Sequence, residues 1–165
     1  MPEVPLTDAE AQAIAAYIRA VKLAPIALPR VPARLPVLAR RVSYDEVSLR
    51  VFRKTCWHCH SEPDYAIGDG GPGNTGGFGF KPRGLNLADY EGIAGGALDD
   101  QGQRRSIFEE TGEGTRLLRA LVSRQEEEAG QSKSATIRGM PLGLPALSPE
   151  DIQLVESWIA QGRPR

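Results

Sequence analysis

Aromatic side chains make up only 6% of this 165-residue chain, so a core of ordinary side chains alone would be thin for its length. No stretch approaches eighteen consecutive apolar residues, and that excludes a membrane-spanning helix. No run alternates apolar and polar residues for long, which argues against an extensive antiparallel sheet. Charge of one sign is missing too. The net charge of −1 gives no long-range pull towards nucleic acid or acidic lipid. The first thirty residues lack the order of a secretory signal: Met1 is followed by Pro2, Glu3 and an amphipathic segment rather than a basic start and an apolar run. Otherwise, 41% hydrophobic and 25% charged residues describe an ordinary globular composition.

Four stretches read as helices. Thr7-Asp8-Ala9-Glu10 is a capping box, after which Ile14, Tyr17, Ile18 and Val21 mark one face. Ser43-Tyr44-Asp45-Glu46 opens a second helix through Val47, Val51 and Phe52. Residues 115–129 carry Leu117, Leu118, Leu121 and Val122 on one side, with Gly130 as a C-terminal stop. Ser148-Pro149 is a cap with proline at the first helical position, and Ile152, Val155, Trp158 and Ile159 form the buried face beyond it. Shorter helical turns are expected near 87–93 and 104–111. The fold class is therefore all-α, with long loops. Between the first two helices, Pro25, Pro29, Pro32 and Pro36 favour an extended, semi-rigid spacer. The chain divides on this reading into a helix (1–22), a Pro-rich linker (23–42) and a main domain (43–165).

There is an internal echo. Leu6-Thr7 with Tyr17-Ile18 repeats as Leu147-Ser148 with Trp158-Ile159, at a constant offset of 141 residues. Two capped amphipathic helices can resemble one another by chance. The sharper reading makes residues 1–22 the tail of a preceding domain of the same kind.

The chemistry is concentrated in five residues. Cys56 and Cys59 are the only cysteines, His58 and His60 the only histidines, and all stand in Cys56-Trp57-His58-Cys59-His60. Two thiols two residues apart on a helical turn can form thioethers to both vinyl groups on one porphyrin edge. The next imidazole then lies beneath the iron. Cys-x-x-Cys-His is the attachment pattern of c-type haem. One covalent haem c is expected on Cys56 and Cys59, with His60 as proximal ligand and His58 at the surface. A structural zinc site would need a second ligand cluster to complete a tetrahedron. A thioredoxin-like dithiol would need a preceding strand and a βαβ context. A plain disulfide would leave His60 unexplained. With no further histidine, the sixth ligand falls to a methionine, and Met1 and Met140 are the only two. Met140, in Arg138-Gly139-Met140-Pro141, is the candidate; a lysine or an open position is the alternative.

At these residues the chain resembles the class I c-type cytochromes, mono-haem helical domains with His/Met-ligated iron, over roughly Ser43 to Gly162. The resemblance implies a cytochrome c-like fold in which the first and last helices cross, through Ser48 and Phe52 on one and Val155 and Trp158 on the other. It also implies that Cys56, Cys59, His60 and Met140 bind the haem. Two departures stand out. The interval from His60 to Met140 is long for this family, so the Gly-rich loop and the 115–129 helix look like an elaboration. The N-terminal segment is extra, and resembles the closing helix of a preceding domain, as in tandem di-haem cytochromes.

Lesser features complete the reading. Gly71-Pro72-Gly73-Asn74-Thr75-Gly76 satisfies G-x-G-x-x-G but lacks the strand before it and the helix after it that dinucleotide binding requires. This loop could instead approach the haem edge, with Phe78 or Phe80 covering the ring. Arg83 and Arg138 either pair with the haem propionates or lie in solvent. Glu126–Glu128 reads as a solvated helix end that could also orient a basic redox partner. The expected function is single-electron transfer between redox proteins in a respiratory or photosynthetic chain, not catalysis. A haem enzyme or ligand sensor with an open sixth position is the alternative. Covalent haem attachment takes place outside the bacterial cytoplasm, so a periplasmic or outer-face location is expected. With no export signal in view, the expectation is a chain that starts upstream of Met1 or is cut from a longer protein. In a third reading, residues 1–40 dock on a partner subunit of a larger membrane complex. Neither nucleic acid nor a transmembrane segment enters any of these readings.

Overall fold

The computed structural model describes residues 6–21, 27–61, 82–131 and 137–165. These are mainly helical. Helix α1 (Asp8–Ala20) has the expected capping box: Thr7 accepts the Glu10 amide, and the Glu10 carboxylate returns to the Thr7 amide at 2.9 Å. Helix α2 (Tyr44–Val47), capped by Ser43, runs straight into a π-helical segment, Ser48–Cys56. Helix α3 (Tyr90–Gly95) is capped by Asp89, whose carboxylate accepts the Gly92 amide at 2.6 Å. Helices α4 (Arg116–Glu128) and α5 (Pro149–Ala160) follow, capped by Thr115 and Ser148.

The 104–111 segment is not helical. Strand β2 (Arg104–Arg105) pairs antiparallel with β1 (Ala97–Leu98), the one sheet among the described residues. Asp99 sets the turn between them by accepting the amides of Gln101 at 3.0 Å and Gln103 at 2.8 Å. Side chain-to-backbone bonds of this type compete with helix. At Gly96 (φ +71°) a Cβ would lie 2.1 Å from the Arg105 carbonyl oxygen, so only glycine admits the pairing.

The core is assembled around Trp158 on α5. Tyr44, Phe52, Tyr90 and Phe108 surround it at centroid separations of 6.1, 6.1, 6.3 and 5.8 Å, so half of the chain's ten aromatics are pooled at one point. Edge-on pairs of this kind add to simple area burial. The pooling offsets the scarcity seen in the composition. Val47, Val51 and Phe52 pack here against Leu154 and Val155, all fully buried. Ser48, Phe52, Val155 and Trp158, the faces singled out in the sequence, are all buried.

The described part of the Pro-rich segment, 27–42, forms neither helix nor strand, and its second half is docked. Gln153 donates to the Pro36 carbonyl at 2.6 Å, and Ser157 accepts the Leu38 amide at 2.9 Å. Gln161 takes the Leu38 and Arg40 carbonyls and the Val42 amide. The spacing is a matter of pitch. Four residues of α-helix rise about 6 Å, and so do two residues of extended chain, so side chains at 153, 157 and 161 meet alternate backbone units of 36–42. Val42 is wholly buried as a result.

Helix α1 stands apart, with no buried residue. Leu6, Ile14, Tyr17 and Ile18 are exposed, whereas their counterparts in the echo, Leu147, Val155 and Trp158, are buried. Among the described residues no helix is long and apolar enough to cross a membrane.

Candidate functional site

The π-helical segment delivers the cysteines. Its i→i+5 bonding is seen in Trp57 N–H reaching the Phe52 carbonyl at 2.9 Å, and it places Val51 and Cys56, five apart, nearly in line. Cys56 thereby continues the buried face of the helix and is itself half-buried. The chain then leaves in a tight turn: Cys59 and His60 both donate their amides to the Cys56 carbonyl, at 3.2 and 2.9 Å. Trp57 anchors this turn by donating its Nε1–H to the Leu87 carbonyl at 2.8 Å, and the Leu87 amide donates back to His60 O at 2.7 Å. Arg53 stacks over the Trp57 ring at 4.8 Å. One turn thus carries both thiols and the imidazole, tied to the 85–87 segment.

Both cysteines are free thiols. Burial pushes the Cys56 thiol up to about 12, helped by the neighbouring Cys59. His60 is shifted the other way. Burial lowers its pKa, with the Leu85 backbone opposing, so the imidazole is neutral at pH 7, the form that binds a metal. Its Nδ1 is buried with no hydrogen-bond partner. His58, expected at the surface, is only 9% exposed: the backbone turns at 57–59 instead of continuing as a helix, which folds the residue between the cysteines inward.

Met140 lies on a strap running from 137 to 148 beside α4. Its amide donates to the Ala120 carbonyl at 2.9 Å, and the residue is half-buried. Arg83 has a left-handed backbone (φ +56°), and its guanidinium is held by Asp100 at 2.6 Å, in an exposed pair. It would have to exchange that partner for a propionate. Arg138 is exposed. Phe78, Phe80 and the G-x-G-x-x-G stretch lie outside the described residues.

The Glu126–Glu128 triplet is not a solvated end, because every member is bonded. Arg119, 7% exposed, pairs with Glu126 at 2.8 Å, and Arg124 bridges Glu127 and Glu128. The arginine pairs are local, but Glu127 and Glu128 also accept the amides of Gly139 and Ala146, 12 and 18 residues on, which no local pattern reports.

The donor set fits haem c. Two unoxidised thiols and a neutral imidazole share one turn, and one ring nitrogen of that imidazole, Nδ1, is buried without a hydrogen-bond partner. It does not fit zinc: among the described residues no three His, Cys, Asp or Glu side chains converge on a point that could hold a metal ion. A cavity of about 150 Å³ opens between Tyr90, Ile93, Phe108, Trp158 and Arg163, at the core's aromatic hub. None of Cys56, Cys59, His60 or Met140 lines it. Comparison with protein-family models, curated proteins and solved structures found no match to this chain.

Proposed function

We propose that the chain is an electron-transfer protein of the c-type cytochrome kind, with one haem attached through Cys56 and Cys59 and its iron held between His60 and Met140. The observation that carries this reading is the single turn closing the π-helical segment, where free Cys56, free Cys59 and neutral His60 stand together. The packing of that helix against α5 through Phe52 and Trp158 supports a cytochrome c-like arrangement. When bound, the haem would supply a one-electron ferric/ferrous couple, whose potential thioether ligation raises. The protein's own part is to fix. Cys56 and Cys59 would hold the haem covalently, the Trp57–Leu87 and His60–Leu87 bonds fix the turn that bears them, and His60 and Met140 would be the iron's protein ligands. The reading carries a periplasmic or outer-face location and redox proteins as partners.

The test is production alongside a haem-attachment apparatus. Acidified organic solvent should fail to extract haem from the protein, and should extract it fully from the Cys56→Ala/Cys59→Ala double variant. The ferric protein should show the weak far-red absorption of an iron–thioether bond, lost in Met140→Ala. Rapid carbon monoxide binding by the ferrous protein would overturn the electron-carrier reading in favour of an open site.

A second reading, that this haem unit is fixed within a larger assembly, is favoured by α1. Its apolar side chains stand exposed where the matching α5 side chains are buried.

A further inference from the structure

Helix α4 grips the strap that carries Met140. Glu127 Oε1 accepts the Gly139 amide at 2.8 Å, and Glu128 Oε1 accepts the Ala146 amide at 2.8 Å. Arg124 Nε donates to the Leu144 carbonyl at 2.9 Å while its terminal nitrogens hold both carboxylates, at 3.4 and 3.1 Å. Gln125 donates to the Leu147 carbonyl at 2.9 Å, and one turn earlier the Ala120 carbonyl accepts Met140's own amide at 2.9 Å. Arg124, Gln125, Glu127 and Glu128 are thus all committed to one stretch of irregular backbone, while Glu126 pairs with Arg119.

Two of these bonds flank the methionine directly. The amide of Met140 is fixed by the helix backbone, and the amide before it by Glu127. The second is the stronger type, since an ionised acceptor makes a hydrogen bond about twice as strong as a neutral one. It is also closely fitted. A Cβ on Gly139 would lie 2.5 Å from Glu127 Oε2 and 2.6 Å from Oε1, so the carboxylate occupies the space a side chain would take. Gly139 is buried beneath it. A methionine thioether hangs on three rotatable bonds and adapts its own torsions, so what the strap governs is which region the sulfur can reach.

We propose that Glu127 is a positioning residue for Met140: its carboxylate, seated on Gly139, holds the strap in the setting that presents the thioether to the haem iron. This rests on the reading of Met140 as sixth ligand. The 115–129 helix is then a clamp on the ligand strap, and the long interval between His60 and Met140 has a use.

The experiment compares the intact haem-loaded protein with Glu127→Gln, Glu127→Ala, Gly139→Ala and Met140→Ala. Four readouts are taken: the far-red band, the reduction potential, the rate of cyanide binding to the ferric form, and amide exchange of 139–147 in haem-free protein. In Glu127→Ala the band should weaken, the potential fall, and cyanide binding and strap exchange quicken about tenfold, as loss of one charge-assisted bond dictates. Glu127→Gln keeps an acceptor for the Gly139 amide and should recover most of the unmodified behaviour. Gly139→Ala should mimic Glu127→Ala, because the new methyl evicts the carboxylate. It carries the test if Glu127→Ala fails to fold. An unchanged band, potential and cyanide rate in folded Glu127→Ala would overturn the positioning role, with Met140→Ala still losing the band. A protein with no far-red band, unaltered by Met140→Ala, would overturn both the positioning role and the ligand assignment beneath it.

Discussion

At Cys56, one of the two residues proposed to carry the haem, burial protects the thiol. A group whose folded pKa lies above its unfolded value stabilises the fold fully below the unfolded value, and the benefit is lost as pH climbs through the folded one. An exposed cysteine titrates near 8.5. For Cys56 the window therefore opens at about pH 8.5 and closes at about 12. The haem-free chain should lose stability across this range in chemical denaturation, and Cys56→Ala should flatten that part of the profile. A Cys56→Ala protein with the same alkaline slope would show that the thiol is not buried in solution. The identity of this residue was legible in the sequence, since Cys56, Cys59 and His60 announce themselves by spacing. Its burial was not. Whether helix or π-helix precedes Cys56 depends on which acceptor each amide selects, and Val47, Val51 and Phe52 satisfy an apolar face under either pattern.

Elements whose signals are local were readable in advance. Thr7, Ser43 and Ser148 each cap the helix their sequence context implied, and Gly130 adopts the left-handed conformation of a helix stop (φ +67°). What escaped were the contacts made at a distance. Residues 23–42 hold four prolines and no acidic side chain and read as a spacer, because Gln153, Ser157 and Gln161, the partners of 36–42, lie over a hundred residues downstream. The helical turn expected at 104–111 gave way to β2 because Asp99 captures two amides and Gly96 tolerates a close carbonyl, neither of which periodicity reports. Gln161 is the terminus of the docked seam, with three backbone partners. Gln161→Ala should cost about 2 kcal/mol in urea unfolding, at about 1 kcal/mol per net bond with some loss to solvent. It should also expose the amide of Val42 to exchange, while the Trp57–Leu87 tie remains protected.

For the molecule as a whole, acid stability follows from the carboxylates with depressed pKa values. The Arg40 side chain holds Glu46 low, and the Gln103 amide does the same for Asp99. Such groups stabilise the fold above their unfolded values, near pH 4, and the benefit fades as pH drops through the lower folded ones. Far-UV circular dichroism should stay native to about pH 4 and decline below it. Asp99→Asn should begin its decline no earlier than the parent, since an amide keeps one acceptor for the turn. His60, held low by burial, adds a loss that starts as pH falls below about 6.5, so the denaturation midpoint should slip from there before the carboxylates bring the main decline; equal midpoints at pH 7 and 5 would show the imidazole to be exposed.

The seam between 36–42 and α5 has a mechanical meaning as well. Its bonds at Gln153, Ser157 and Gln161 lie side by side along one helix, so tension arriving from the N-terminal side would load them together in shear instead of peeling them singly. Helix α5 rests in turn on the segment that ends in Cys56. A load carried by the seam would therefore pass into the whole packed face of Val47, Val51 and Phe52 against Leu154, Val155 and Trp158 before it reached the cysteine turn.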